Sequence, residues 1–254
     1  MAVGLLHPGE MGAAVGAQLR SREVLWASAG RSEATAERAR QAGLTDAGEL
    51  AELVRRSDVI LSICPPHGAL ELAHAVAGFT GTFLDANAVS PATAREIGAV
   101  IEDGGGRFVD GGIIGPPPGP GARTRLALCG PGADTVAALF ANTAVDARVI
   151  DGEIGAASAL KMAYAAWTKG TAAMLLAIRA LAEAEGVDDE LQAEWRDSQP
   201  ELLERARRAA ASADAKGWRW IAEMEEIAAT FAADDLPDGF HRAAAEVFRG
   251  LSRR

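Results

Sequence analysis

Short apolar runs and helical repeats alternate along the first 150 residues. Val3–Leu6, Val24–Ala27, Val59–Cys64, Thr82–Asp85, Arg107–Asp110, Arg125–Cys129 and Arg148–Ile150 have the length and apolar density of strands. Between most of them, apolar residues recur at helical spacing: Ala13–Arg20, Glu33–Ala42, Gly48–Arg55, Ala69–Ala77, Thr93–Asp103 and Asp134–Ala144. Strand and helix in alternation predict a parallel sheet covered on both faces, and runs that are apolar throughout are what such a sheet requires. After Asp151-Gly152 the strand signal stops. One long helix is expected over 155–185, closed by Gly186, with Leu160, Tyr164, Trp167, Met174, Leu175, Ile178 and Leu181 spread around it so that more than one face is buried. Further helices follow at Asp188–Asp197, from Pro200, at Trp218–Ala233 and at Gly239–Leu251. The fold class is therefore an α/β Rossmann-type domain over residues 1–152 followed by an all-α domain over 153–254. The run Gly115-Pro116-Pro117-Pro118-Gly119-Pro120-Gly121 fits neither a helix nor a central strand.

Composition narrows the function classes. The chain has 254 residues, 49% hydrophobic and 24% charged, an ordinary globular balance. Its net charge of −10 argues against a nonspecific grip on nucleic acid or on anionic membranes. Two cysteines cannot supply a disulfide framework or a four-thiolate zinc site, and His67 and His74 are read as surface or cap residues, so no metal site is expected. With no basic leader and no apolar run of about 18 residues, the expectation is a cytoplasmic protein acting on a small molecule.

Residues 4–12 read Gly-Leu-Leu-His-Pro-Gly-Glu-Met-Gly, directly between a strand and a helix. A dinucleotide-binding turn needs glycine where the backbone approaches the pyrophosphate and where helix and sheet pack closely, which Gly9 and Gly12 supply. His7 stands where a first glycine would make the tight turn. The candidate cofactor residues here are His7, Pro8, Gly9, Glu10, Met11 and Gly12. The second strand then ends without the acid that accepts from an NAD ribose. It ends instead in Ser28-Ala29-Gly30-Arg31-Ser32, and Arg31 with the hydroxyls of Ser28 and Ser32 suits a 2′-phosphate. The bland alternative is a solvated Arg31 with Ser32 as a helix cap. The reading favours NADP over NAD.

With these residues in place, the chain resembles the β-hydroxyacid dehydrogenase superfamily, which includes 3-hydroxyisobutyrate, tartronate-semialdehyde and 6-phosphogluconate dehydrogenases, and within it a branch with a divergent helical C-terminal domain. The segment Gly4–Gly12 matches the opening Gly-x-x-Gly-x-Gly-x-Met-Gly except at His7. Cys64-Pro65-Pro66 falls where the loop after the fourth strand passes the cofactor. Asp85-Ala-Asn-Ala-Val-Ser-Pro91 matches Asp-x-Ser/Thr-x-x-x-Pro, with Asn87 replacing the hydroxyl residue. Asp110–Pro116 matches the substrate loop Asp-x-Pro-Val-Ser-Gly-Gly, with Ile114 for Ser and Pro116 for the last Gly. Gly155–Lys161 matches the segment carrying the catalytic lysine, while the Asn four residues later is Ala165. The resemblance implies that Cys64, Pro65, Pro66 and Asn87 line the cofactor, and that Asn87, Ile113, Ile114, Gly115 and Thr168 line the substrate. Losing the Ser and the Asn removes two polar groups, and Pro116 deletes one N–H, so a less polar substrate is implied.

Of the 25 basic residues only Lys161, Lys169 and Lys216 are lysines. Lysine can lose its proton where arginine cannot, which acid–base work requires. Lys161, Tyr164, Ala165 and Thr168 share one helical stripe, so Lys161 and the single tyrosine, Tyr164, are the candidate catalytic pair. Lys169 lies on a neighbouring face and is read as structural; Cys64 as a buried apolar thiol, His241 as a solvated or interface residue. The leading reading is an NADP-dependent oxidoreductase acting on a small carbonyl or hydroxy compound. An imine reductase of the same architecture and a dinucleotide-binding sensor without turnover stand as alternatives. Relatives bury the long helix against a partner's C-terminal helices, which implies a homodimer.

Overall fold

In a computed structural model that describes residues 1–251, the chain forms two compact units, Met1–Lys161 and the described residues from Met162 onward. The first unit alternates strand and helix. In chain order it contains β1 (Val3–Leu5), α1 (Glu10–Ala17), β2 (Val24–Trp26), α2 (Glu33–Gln41), β3 (Thr45–Asp46), α3 (Leu50–Arg56) and β4 (Val59–Ser62). There follow a 3₁₀ turn (Pro66–Gly68), α4 (Ala69–Ala75), β5 (Thr82–Asp85), α5 (Pro91–Asp103), β6 (Arg107–Ile114), β7 (Thr124–Cys129), α6 (Ala133–Leu139) and β8 (Val145–Val149). The long α7 (Ala156–Ala184) runs on into the second unit, which adds α8 (Asp188–Ser198), α9 (Glu201–Ala233) and α10 (Gly239–Leu251).

The eight strands form one sheet in the order β3-β2-β1-β4-β5-β6-β7-β8. Each of its two faces carries a separate core. Val15 of α1, Leu19 in the turn after it, and Val136 and Leu139 of α6 pack on one face, and Leu53, Ala73, Ile97 and Ile101 from α3, α4 and α5 pack on the other. Strands buried on both sides must be apolar at every position, which is why the central ones were legible as runs.

Four expectations need correction. The sheet is parallel except for β6 and β7, which pair antiparallel, with Asp110 opposite Cys129 and Ile114 opposite Arg125. Residues 111–114, expected in a substrate loop, continue β6, because Ile113 and Ile114 find β7 partners. The strand ends at Gly115, whose φ of +119° only glycine adopts without strain, and Pro116 then has no N–H to pair. The residues from Pro200 and those from Trp218 form the single helix α9; one glycine inside a helix costs only about 1 kcal/mol, and Gly217 is buried close to the Phe248 ring. His241 is buried rather than solvated, with its ring 4.3 Å from Phe231, and burial lowers its pKa.

Within the second unit, Leu175 of α7, Trp195 of α8 and Ala206 of α9 form a core, and Trp220 meets Phe248 edge-on at 5.0 Å between α9 and α10. Lys169 pairs with Glu223 at 2.7 Å, both nearly buried. The expectation that α7 is buried on more than one face is met only in part. Met162, Ala165, Ala173 and Leu175 are covered, whereas Leu160, Tyr164, Trp167, Met174, Ile178 and Leu181 stay exposed. Among the described residues no helix is long and apolar enough to cross a membrane.

Candidate active site

The chain runs β1, β2, β3 toward one edge of the sheet and then returns to place β4 on the other side of β1. At such a reversal the loops after neighbouring strands part, leaving a crevice at their C-terminal ends. The glycine turn lies there. It passes from β1 into α1 without a left-handed residue anywhere between His7 and Gly12. His7 is tolerated where the resembled motif has glycine because the turn here needs no positive φ. Glycine is still required at position 12, where a Cβ would stand 2.3 Å from the His7 carbonyl oxygen. α1 follows Gly9, its N-cap, which makes no side-chain cap, and a helix N-terminus of this kind favours an anion.

Two arginines reach this turn from the β2 side. Arg31 follows a tight turn in which its N–H donates to the Ser28 carbonyl across Gly30 (φ +71°). Its guanidinium then donates to the Leu6 carbonyl at 3.2 Å and meets His7 Nδ1 at 3.5 Å. Arg38, one turn along α2 from Thr35, donates through Nε to the Pro8 carbonyl at 3.3 Å and through Nη2 to Thr35 Oγ1 at 3.0 Å. Ser32 caps α2, accepting from the Thr35 N–H at 3.3 Å. Ser28 is half-buried beside this turn. The helix terminus without a side-chain cap and the pair of guanidiniums form a donor set that fits the phosphates of a dinucleotide.

The loops after β4 and β5 are tied together by a buried polar network. Asn87 Oδ1 accepts from the Cys64 N–H at 2.5 Å, while Asn87 Nδ2 donates to Ser62 Oγ at 2.9 Å and to Asp85 Oδ1. Ser62, Asp85 and Asn87 are all buried. The Asn87 amide is thus occupied inside the protein, and its position holds the Cys64-Pro65-Pro66 segment rather than presenting a polar group outward. Burial pushes the Asp85 carboxyl up to about 7, and the nearby Asp110 charge adds to that rise. Burial, with the Asp85 charge behind it, pushes the Cys64 thiol up to about 12, so it stays a thiol near neutral pH and is no nucleophile.

Lys161 is seated by β6 and by the start of α7. Asp110 projects from β6 and caps that helix: one carboxylate oxygen accepts from the N–H groups of Gly155, Ala157 and Ser158 at 2.9, 3.0 and 3.1 Å, and the other accepts from Ser158 Oγ at 2.6 Å. Cys129 Sγ lies 3.3 Å from the same carboxylate. Two residues along β6, Gly112 lets the helix lie against the strand; a Cβ there would come within 2.6 Å of the Ala157 carbonyl and 3.0 Å of the Lys161 Cβ. Tyr164, 44% exposed, lies one turn beyond Lys161. Thr168 donates its hydroxyl back to the Tyr164 carbonyl at 3.2 Å. Ile113 and Ile114 are buried in β6, and Gly115 marks its end.

The structure therefore brings His7, Pro8, Gly9 and Arg31 together, joins Cys64 to Asn87, and sets Lys161 beside Gly112. Sequence reasoning missed Arg38, Ser62 and Ser158. Arg38 lies in a helix with basic residues at 38 and 40, and nothing in the pattern marks which of them faces the turn.

Comparison with known proteins agrees with this architecture. Residues 182–251 match the domain of unknown function DUF1932. The chain is 31% identical over 193 residues to an uncharacterized 28.5 kDa protein from the 7S RNA 5′ region of Methanothermus fervidus, covering 75% of this chain and 74% of that one. Among solved structures, MTH1747, a conserved protein of unknown function described as structurally similar to 3-hydroxyacid dehydrogenases, superposes with a TM-score of 0.72 at 27% identity, over 100% of this chain and 97% of its own. The 3-hydroxyisobutyrate dehydrogenase of Mycobacterium tuberculosis, solved with L-serine, gives 0.73 at 16% over 99% and 94%. A reductive aminase from Aspergillus terreus, solved with a reduced nicotinamide cofactor, cyclohexanone and allyl amine, gives 0.61 at 18% over 99% and 93%. The chain belongs to the same family as the Methanothermus protein, and its fold is that of the 3-hydroxyacid dehydrogenases, with a divergent helical C-terminal region.

Proposed function

We propose that this chain is an NADP(H)-dependent oxidoreductase that acts on a small carbonyl or hydroxy compound of modest polarity, with Lys161 as the proton carrier. The observation that carries the proposal is the seat of Lys161, a lysine in an arginine-rich chain, packed on Gly112 at the end of a helix turn anchored by a buried carboxylate. Bound at the glycine turn, the nicotinamide cofactor supplies or accepts a hydride at its C4 carbon. The α1 N-terminus and the Gly9 backbone hold the pyrophosphate, and Arg31 holds the 2′-phosphate. The Asn87 network fixes the Cys64–Pro66 wall. Lys161 donates a proton to the oxygen of a carbonyl substrate as it is reduced, or accepts one from a hydroxyl as it is oxidised. Ile114 stands where the family places a serine, so the substrate is held by fewer hydrogen bonds than a hydroxyacid receives.

Reduction of a C=N bond is the second reading. The exposed Tyr164, one turn from Lys161, offers a different proton donor, and the reductive aminase shares the fold. Screening carbonyl, hydroxyacid and imine panels for NADPH oxidation or NADP⁺ reduction tests both readings; silence across all three panels overturns them.

We also propose a homodimer. Leu160, Tyr164, Trp167, Thr171, Met174, Ile178 and Leu181 follow one another at alternating steps of four and three along α7, the spacing of a helix–helix seam, and the apolar members are exposed in the single chain. Between Met162 and Ile178 the one charged residue is Lys169, which is turned inward onto Glu223.

A further inference from the structure

The loop that connects β1 to α1 is gripped from one side by two guanidiniums. Arg31 donates to the Leu6 carbonyl and to His7 Nδ1, and Arg38 donates to the Pro8 carbonyl. Three consecutive residues of the cofactor turn thus receive hydrogen bonds from two cations, one at the end of β2 and one on the second turn of α2. Each guanidinium has five donors in a fixed fork. These bonds and the one to Thr35 occupy two donors on Arg38 and two on Arg31, so each cation keeps N–H groups for another acceptor. The hydroxyl of Thr35 orients Arg38 at 3.0 Å, and Ser32 caps the helix that carries it. No carboxylate is paired with either arginine in the hydrogen bonds described, although Glu33 and Glu37 lie on the same helix; both acids instead bind Arg40. A pair of cations tethered to a dinucleotide turn, left without an acidic partner in a protein of net charge −10, is arranged to receive an anion.

We propose that Arg38 is a second specificity-determining residue for the cofactor, joining Arg31 in a two-guanidinium site that takes the 2′-phosphate of NADP(H), with His7 as the positioning residue that orients Arg31. The proposal rests on the reading of the glycine turn as an NADP(H) site. It also accounts for His7: an imidazole in place of glycine gives the Arg31 fork an acceptor that glycine lacks, while the tether from Arg38 fixes the following residue.

The test is calorimetric titration of the purified protein with NADPH and, separately, NADH. The unmodified protein is expected to bind NADPH more tightly. Arg38→Ala is expected to weaken NADPH by about 10-fold or more while changing NADH by less than about 3-fold, the loss of a charge-assisted contact that only the 2′-phosphate makes. Arg38→Lys keeps the charge and gives up the bidentate fork, so it is expected to fall between the two. A purely structural tether to Pro8 would instead weaken both cofactors equally in Arg38→Ala, and that result overturns the role of Arg38 while leaving the NADP(H) reading in place. Unmodified protein that binds neither cofactor, or both alike, overturns the underlying reading and the proposal with it. Adenosine 2′-monophosphate as a competitor gives the same answer with the phosphate alone: its affinity should fall in Arg38→Ala and in Arg31→Ala.

Discussion

Replacing Asp85 with asparagine isolates the cost of burying a carboxyl group between β4, β5 and β6. The Asp85 carboxyl titrates near 3.8 in an open chain and at about 7 in the fold, raised first by burial and further by the Asp110 charge. Because the folded value is the higher one, the folded chain holds the extra proton between these limits. Stability is therefore greatest at low pH as far as this group is concerned, and falls as pH rises from about 4 through 7. A difference of about 3 pH units corresponds to ~4 kcal/mol in full, of which ~2.5 kcal/mol is lost between pH 5 and pH 8. Other groups titrate over the same range, so the informative quantity is the difference between Asp85→Asn and the parent at each pH. Urea denaturation at half-unit steps from pH 5 to 8 should show the variant gaining on the parent by ~2.5 kcal/mol. Asparagine keeps an acceptor for the Asn87 amide, so the loss at pH 5 should be modest, on the order of 1 kcal/mol. Parallel curves for parent and variant would show that Asp85 does not carry a buried, near-neutral titration, and the reasoning from burial would fail.

Asp110→Ala removes the acceptor for three backbone N–H groups and for Ser158 Oγ, and should cost ~3–5 kcal/mol by thermal or chemical denaturation, more than a surface cap does. Light scattering at micromolar concentration should give twice the monomer mass, consistent with an interface above ~2,000 Å², and Trp167→Glu or Met174→Glu should shift the mass to that of a monomer. Arg31→Ala should reduce the preference for NADPH over NADH by ~1.5–3 kcal/mol in the same titrations, the worth of a charge-assisted hydrogen bond. Tyr164→Phe should slow turnover less than loss of Lys161 does; a larger effect in steady-state kinetics would move the proton-donor role to the phenol and favour C=N reduction.

The parts of this molecule visible in the sequence are those whose signal is local. Strands β1, β4 and β5 lie in the middle of a sheet buried on both faces, so their runs are apolar throughout and stand out. β8 lies at an edge, where Val145 is buried while Asp146, Arg148 and Val149 are exposed, and the expected strand started three residues late for that reason. The two-residue β3 is too short to leave any pattern. Gly9, Gly12, Arg31 and Lys161 could be named because their spacing follows from the turn or from the family motif. The contacts of Arg38 with Pro8, and of Asp110 with Gly155, Ala157 and Ser158, join positions 30 and more than 40 residues apart. No periodicity reports such pairings. Asn87 shows the limit of a motif match: its place in the loop was legible, whereas the inward turn of its amide toward Ser62 and Asp85 depends on tertiary packing.

The central claim is that the helix turn anchored by Asp110 delivers a proton carrier, Lys161, to the substrate's carbonyl or hydroxyl oxygen. Its most direct test is the turnover of Lys161→Ala on a substrate found by panel screening, with NADPH affinity measured on the same preparation. The account predicts that kcat falls by ~10²–10⁴-fold, the usual worth of a positioned acid or base, while the NADPH Kd changes little, and that Lys161→Arg fails to restore the rate. Turnover within tenfold of the unmodified protein, at equal NADPH affinity, would contradict it.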